Sequence, residues 1–182
     1  MDKGFDISVS IDVCSRIRND LGIKDQLILP ANPGHWSLFD MSQNFEKPPR
    51  EREESLCPCK SRETYAACCM PFHHGNVKPD TAEQLMRSRY SAYFFRLVDY
   101  LVSTTHPDTR DPMLKHELEQ TIHDVKWRFL TIIGTSKGTK EDKVGKVEFV
   151  AEYFLNGQPY ELHERSRFKR YKGAWKYLDG KG

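Results

Sequence analysis

The feature that most constrains this sequence is a group of four of its five cysteines within thirteen residues: Cys57, Cys59, Cys68 and Cys69. Residues 1–10 lack the basic start and the long apolar stretch of an export signal, so we expect a cytoplasmic, reducing environment in which disulfides are disfavoured. Clustered cysteines under those conditions indicate a metal site. The fifth cysteine, Cys14, lies apart from the group and is interpreted as a small hydrophobic residue.

Four thiolates suit a structural zinc ion, which binds sulfur ligands in a closed tetrahedron. Pro58 keeps the first cysteine pair extended, and we expect a helical turn starting at Ser61 to return the chain to the second pair. Four thiolates around Zn²⁺ carry two net negative charges. Lys60, Arg62 and backbone N–H groups are predicted to offset them.

A closed site of four cysteines has no open position for a substrate, so the predicted zinc ion is structural and not catalytic. Three alternatives stay open for the cysteine group: iron–sulfur or redox chemistry, inert thiols, and replacement of one thiolate by His73 or His74. For the two histidines, a surface or packing role is favoured.

Changes in composition divide the chain into three parts. Residues 1–55 form an N-terminal extension, with a predicted helix at 11–21 and a charged linker containing two prolines at 45–55. The cysteine module spans 56–75, and a larger domain spans 79–182. No apolar run approaches the ~20 residues that a membrane helix needs, so no membrane contact is expected. The formal net charge of +2 does not by itself demand a nucleic-acid partner.

The larger domain places helices before strands. Thr81 and Gln84 match a capping box, and the helix that it opens carries apolar residues at helical spacing: Leu85, Met86, Tyr90, Tyr93, Phe94 and Leu97. A second helix is predicted at 100–105. Asp111 is predicted to cap a third helix, at 112–122.

Beyond residue 125 the period of the sequence changes to two. Strands are predicted at 127–134, 146–155, 160–171 and 174–178. Asn156-Gly157 and Lys172-Gly173 are hairpin turns between the later strands. Helices followed by an antiparallel meander predict an α+β domain.

The spacing Cys-x-Cys-x8-Cys-Cys resembles the SEC-C motif, a short zinc-binding element found at the C terminus of the translocation ATPase SecA. Where that motif has Gly-Ser-Gly after the second cysteine, this chain has Lys60-Ser61-Arg62. The resemblance implies zinc held by the four cysteines. It also implies a protein partner of the chaperone, translocation or ribosome-associated class.

Several later stretches resemble the bacterial YchJ family: residues 81–93, 99–101, 105–107, 163–168 and 175–180. The resemblance implies a nuclear-transport-factor-2-like domain, a cone of helices packed on a curved antiparallel sheet, preceded by a SEC-C module. Cones of this type often pair through the sheet, so a homodimer is an expectation from the resemblance. It implies a fold and not a reaction.

Polar residues in a core-facing register of the third strand predict a site inside the cone. A carboxylate at Glu164 must be paired or must face a cavity, since burial of a lone charge is costly. The favoured interpretation is a buried ion pair between helix and sheet. The alternative is a ligand pocket or an acid–base pair of Glu164 with His106. The residues of this candidate pocket are Glu164, Ser166, His106, Arg87 and Arg89.

The opposite face of the same strand carries cations, which suggests contact with RNA phosphates. The candidate residues are Arg165, Arg167 and Lys169. The alternative is a solvated strand face with Glu161 and Glu164 as counter-charges.

The sequence therefore favours a cytoplasmic, zinc-binding accessory protein without catalytic activity, whose cysteine module is tethered to the α+β domain and docks onto a protein partner. Positive charge at Lys60, Arg62 and Arg50 suits an acidic or phosphorylated partner. A small-molecule-binding protein or enzyme that uses the pocket of the cone is one alternative. An RNA- or ribosome-binding protein is the other.

Overall fold

The computed structural model of the protein describes residues 53–181. Its elements, in chain order, are α1 (Met70–His73), α2 (Ala82–Phe94), α3 (Val98–Thr104), α4 (Leu114–Thr121), β1 (Val125–Lys137), β2 (Val144–Leu155), β3 (Gln158–Tyr171) and β4 (Ala174–Lys181). The predictions for the helix at 11–21, Cys14, Arg50 and most of the linker lie outside the described residues. Of the helices in this part of the chain, none is long and apolar enough to cross a membrane.

Helix α2 begins with the predicted capping box. The Thr81 hydroxyl accepts a hydrogen bond from the Gln84 backbone N–H at 3.1 Å, and the Gln84 side chain accepts one from the Thr81 N–H at 3.3 Å. Nine of the thirteen helical residues are buried, and these include the polar Ser88, Arg89 and Ser91. A helix buried all round needs packing partners on every side. The sheet covers its apolar side, and the cysteine module and α3 cover its polar side.

The third helix starts later than the sequence predicts. Helix α4 begins at Leu114, and Met113 occupies the N-cap position without a side-chain hydrogen bond. Asp111 instead accepts a hydrogen bond from the Met113 N–H at 2.7 Å. This bond to the backbone two residues ahead makes an Asx turn, so Asp111 closes the turn that precedes the helix and is not its cap.

The strands form one antiparallel sheet in chain order, β1-β2-β3-β4. Both predicted hairpin turns are present, and each has two residues with positive φ, at Asn156-Gly157 and Lys172-Gly173. That backbone matches the right-handed twist of paired strands. Along β3 exposed and buried residues alternate, so the helices cover one face and solvent meets the other. The predicted α+β arrangement is confirmed.

The two outer strands of the sheet have different surroundings. The chain after α3 lies along β4: Thr105 forms a parallel bridge with Tyr177, and the His106 N–H donates to the Tyr177 carbonyl at 2.7 Å. Within residues 53–181, no strand pairs with the outer edge of β1. Register shifts interrupt β1 between Trp127 and Phe129 and again between Ile132 and Gly134.

The loop between β1 and β2 packs against the start of α2 through two glycines. The Ala82 N–H donates to the Gly138 carbonyl at 2.9 Å. A Cβ on Gly145 would lie 2.5 Å from the Gly138 Cα and 3.0 Å from the Ala82 Cβ. Both separations are below ordinary van der Waals contact, so glycine at position 145 lets the hairpin approach the helix.

Gly145→Ala is expected to destabilise the protein by about 1–3 kcal/mol, the usual cost of overpacking a tight site. Gly134→Ala is the matched control, because a Cβ there would meet nothing within 4 Å. Urea unfolding of both variants measures the difference. Equal midpoints for the two variants would show that the close approach does not constrain the fold.

Candidate metal centre

The first cysteine pair lies on a tight loop closed by backbone hydrogen bonds. Leu56 bridges Thr64 in antiparallel fashion, and the Cys57 N–H donates to the Glu63 carbonyl at 2.7 Å. The chain reverses through Lys60 and Arg62, which both have positive φ. That reversal brings the Cys57–Cys59 pair back toward the residues that follow Thr64.

The second cysteine pair lies on a turn that leads into a helix. The Cys68 N–H donates to the Thr64 carbonyl at 3.0 Å, and Cys69 is the N-cap of α1. The prediction of a helical turn starting at Ser61 is therefore wrong, because the left-handed backbone at Lys60 and Arg62 delays the turn until after Thr64. The pair precedes a helix and does not end one.

The fold gathers the four sulfurs into one cluster. The Sγ atoms of Cys57, Cys59, Cys68 and Cys69 all lie within 4.8 Å of one another. Cys59 and Cys68 are 3.5 Å apart and Cys68 and Cys69 are 3.7 Å apart, well beyond the ~2.05 Å of a disulfide, so the thiols are free. Cys57, Cys59 and Cys69 are buried, while Cys68 is partly exposed.

Hydrogen bonds between the thiols shift their pKa values in opposite directions. A hydrogen bond from the Cys57 thiol lowers the pKa of Cys59, while hydrogen bonding to Cys59 raises the pKa of Cys57. Four ionised sulfurs at these distances repel one another, so all four are deprotonated together only around a positive ion. The donor set and its spacing thus fit a metal ion held by four cysteines.

Hydroxyl groups surround the sulfurs and restrict their orientation. Ser61 donates to the Cys68 sulfur at 3.2 Å. Ser91, from the buried polar side of α2, lies 3.5 Å from the sulfurs of both Cys57 and Cys69. Such outer groups orient metal ligands and reduce the charge on them. The sequence predicted backbone N–H groups in this role.

The cation that contacts the backbone of the cluster is Arg87, which donates to the Cys59 carbonyl at 2.8 Å and to Glu83 at 2.8 Å. Sequence reasoning placed Arg87 in the candidate pocket of the cone, and the structure places it at the metal centre instead. The predicted Lys60 and Arg62 are exposed. The i, i+4 pair of Glu83 and Arg87 in the first half of α2 was the available signal.

His73 joins the module to α2 and does not take the place of one of the four thiolates. Its Nε2 donates to the Ser88 carbonyl at 2.8 Å, and its Nδ1 therefore accepts from the Tyr65 hydroxyl at 2.7 Å. Both ring nitrogens are engaged, which fixes one neutral tautomer. His74 is exposed. The favoured packing role of the pair therefore agrees with the contacts of His73.

Comparison with known proteins identifies the family. The family model of the YchJ middle domain, described as NTF2-like, matches residues 81–180, and the SEC-C motif matches residues 55–71. The chain belongs to the YchJ family. A UPF0225 protein of Vibrio parahaemolyticus is 43% identical over 126 residues, which are 69% of this chain and 74% of that protein. One from Serratia proteamaculans is 39% identical and covers 69% and 82% of the two chains.

Two solved structures share the fold. A SEC-C motif containing protein from Rhodopseudomonas palustris is 32% identical, with a TM-score of 0.64, and the match covers 70% of this chain and 98% of that one. A sec-c motif containing protein from Psychrobacter arcticus is 28% identical, with a TM-score of 0.61, and the match covers 71% and 83%. The NTF2-like cone predicted from the resemblance is confirmed.

The backbone of this YchJ-family chain accounts for its departure from the SEC-C pattern. Lys60 and Arg62 stand where the motif usually has glycine, and both have the positive φ that glycine adopts most readily. This chain therefore keeps the glycine backbone at both positions with long basic side chains. Those side chains point a positive charge outward beside the cluster.

Inside the cone, Glu164 is fully buried between neighbours from the sheet. Its Oε1 accepts hydrogen bonds from Ser166 at 2.6 Å and from Tyr177 at 3.3 Å. Gly180 lies opposite Ser166 on β4, and a Cβ on it would overlap the Glu164 carboxylate. The glycine therefore makes the space that the carboxylate occupies.

The remaining candidate residues of the interior hold α3 and the chain that follows it. Arg89 donates to the Leu101 carbonyl and the Thr104 hydroxyl at 2.8 and 2.7 Å, and its guanidinium lies 4.7 Å from the centre of the Tyr177 ring. The Nδ1 of His106 accepts from the Asp108 N–H at 3.2 Å. These contacts stabilise the packing of α2 against α3 and against Tyr177 of the sheet. The buried ion pair of Glu164 stays a prediction.

A cavity of about 20 Å³ lies beside Tyr90 and Phe149, and Ser166 also lines it. One water molecule needs about 10–15 Å³ and a ligand pocket spans about 300–1,000 Å³. This cavity therefore has no room for a small-molecule substrate, and it gives no support to the pocket hypothesis.

The cations predicted to contact RNA are exposed and have acidic neighbours. Arg167 forms a two-pronged ion pair with Asp179. Arg165 lies 3.7 Å from Glu148, and Lys169 lies 3.7 Å from Asp108. The counter-charges are therefore different from the predicted Glu161 and Glu164, since Glu164 faces the core. This pattern is typical of a solvated strand face.

The pKa of His73 leads to a prediction on acidification. Burial lowers this pKa from 6.5 to about 4. The folded protein thus binds the proton less readily than the unfolded chain does. The contribution of His73 to stability is therefore complete above about pH 6.5 and is lost as the pH falls toward 4. NMR titration of the imidazole should give a midpoint near 4, and a midpoint near 6.5 would contradict the buried tautomer. His73→Gln should remove this part of the pH dependence of unfolding, while His74→Gln should leave it.

Gly180→Ala is expected to destabilise the protein by about 1–3 kcal/mol, because the new methyl group displaces the Glu164 carboxylate. In a Glu164→Ala background the same change should cost less than half as much, since the two sites share one space. Chemical unfolding of the four proteins measures this coupling. Additive effects would show that the glycine and the carboxylate act independently.

Proposed function

We propose that this YchJ-family chain is a zinc-binding accessory protein without catalytic activity, whose cysteine module contributes to docking of a protein partner. The observation that carries the proposal is the gathering of four free thiols within 4.8 Å of one another, three of them buried. The module is tightly packed on the larger domain. It therefore acts as part of one rigid surface and not as a tethered element.

Zinc is the metal that the donor set favours. Four sulfur donors suit Zn²⁺, and a tetrahedron with zinc–sulfur bonds of about 2.3 Å has sulfur–sulfur edges of about 3.8 Å. The measured separations of 3.5 and 3.7 Å, from Cys68 to Cys59 and to Cys69, are close to that value. Hydroxyl donors at Ser61 and Ser91 and the cation of Arg87 reduce the charge of a zinc–tetrathiolate group.

A structural role follows from the number of donors. A catalytic zinc keeps a position open for water or substrate, whereas four cysteines close the coordination shell. The cavity beside Tyr90 and Ser166 has room for about one water molecule. A rigid scaffold with exposed basic residues beside the cluster suits binding of another protein better than it suits a reaction.

Metal analysis of the purified, reduced protein tests this proposal. We expect about one zinc per chain, lost in Cys68→Ser together with several kcal/mol of stability. Cys14→Ser, which changes the one cysteine outside the group, is the matched control and should retain the zinc. Freshly reduced protein without zinc would falsify the proposal, and the adjacent Cys68 and Cys69 would then be candidates for redox chemistry.

A further inference from the structure

We propose that the partner docks on the open edge of β1, and that it contributes an extended acidic segment which adds as a strand to the sheet. The edge surface consists of Lys126, Phe129, Ile133 and Lys137 of β1 together with Lys60 of the cysteine module. This inference rests on the proposed function, because it assigns a place and a chemistry to the partner.

The backbone of β1 is the available template. The other outer strand, β4, is covered by Thr105 and by the His106 N–H, which bonds to the Tyr177 carbonyl. Within the described part of the chain, nothing comparable covers β1. An edge strand offers a row of N–H and carbonyl groups to an incoming extended peptide. The two register shifts leave regular backbone at 129–132 and 134–137, so the added strand is short.

Apolar side chains lie on this edge in contact with solvent. Phe129 is 42% exposed and Ile133 is 56% exposed. The Lys60 ammonium lies 4.7 Å from the centre of the Phe129 ring, so the cysteine module borders the same surface. A bound strand would bury both apolar side chains and would also meet the module.

The charge of the edge selects the chemistry of the partner. Strand β1 carries no acidic residue, and Lys126 and Lys137 give it positive charge, while its Arg128 is paired with Glu152 of β2 at 3.4 Å. An acidic segment complements this strand. A second copy of the chain would bring like charges together, and facing like charges destabilise strand pairing. Nucleic acid would leave the strand backbone unpaired and Ile133 without an apolar contact.

The test uses the full-length protein, labelled with ¹⁵N, and synthetic peptides of seven residues. The probe is Asp-Val-Glu-Ile-Asp-Val-Glu, which alternates acidic and β-branched residues. One comparison peptide replaces each acidic residue with lysine, and the other replaces the central isoleucine with proline. We expect the acidic probe to shift the amide signals of residues 129–137, and the other two peptides to bind at least about tenfold more weakly. Raising the salt concentration should weaken binding of the acidic probe.

Two variants locate the surface. Ile133→Asp and Lys60→Glu should each weaken binding of the acidic probe by about tenfold. The first removes apolar burial, and the second reverses a charge. Val77→Asp is the matched control, because Val77 is 51% exposed and is not one of the residues of the edge surface. This variant should bind the acidic probe as the unchanged protein does.

Several outcomes would overturn the inference: no shifts at β1, equal binding of the lysine peptide, or binding that Ile133→Asp leaves unchanged. A dimer detected by sedimentation and dissociated by Ile133→Asp would also overturn it. So would an oligouridylate probe that shifts the amide signals of residues 129–137 when the peptide does not. The zinc content of the same samples separates the two proposals. If the protein contains zinc but the peptide does not bind at β1, this inference alone is overturned. If the peptide binds at β1 but the protein contains no zinc, the proposed function alone is overturned.

Discussion

Ser91 lies on the buried polar side of α2, and its hydroxyl is 3.5 Å from the sulfurs of both Cys57 and Cys69. On the same helix, Arg87 bonds to the Cys59 carbonyl, and the Ser88 carbonyl accepts from His73. A helix with so many buried polar groups is stable only when each has a partner. The cysteine module supplies partners for Ser91, Arg87 and the Ser88 carbonyl, and α3 supplies those of Arg89, so the cysteine cluster and the cone share a single core.

The interior of the cone is organised by a buried carboxylate. Glu164 is held by Ser166 and Tyr177, and Arg89 lies over the Tyr177 ring on the helix side. The hydrogen bonds of the carboxylate tie β3 to β4, and the contact of Arg89 with Tyr177 links this network to α2. The absence of a side chain at Gly180 lets the carboxylate fit. Polar residues that look catalytic in the sequence are thereby used for packing in the part of the cone around Glu164.

The two edges of the sheet differ in what covers them, and the proposed binding surface lies at the one that the described residues leave uncovered. A loop covers β4, while β1 has exposed apolar and basic side chains beside the cysteine module. Basic residues and register shifts on an edge strand discourage self-association. A metal centre that holds the adjacent loop rigid keeps Lys60 in place over Phe129. The proposed zinc therefore acts on binding through the shape of the surface and not through chemistry at the ion.

Local patterns in the sequence were sufficient to predict the cysteine group, the capping box at Thr81, the hairpin turns and the order of helices and strands, because each depends on neighbouring residues alone. The same reasoning predicted that α4 begins directly after Asp111, which is too early. The Asx turn that Asp111 makes has a local signature similar to that of a helix cap. Sequence reasoning also placed Arg87 in the interior, with Arg89 and His106, as a possible ion-pair partner of Glu164. Which buried polar group meets which partner depends on how distant segments pack. Only the tertiary structure brings Ser91 to the sulfurs and Gly180 to the carboxylate, because hydrogen bonds between residues far apart in the chain leave no periodic trace in the sequence.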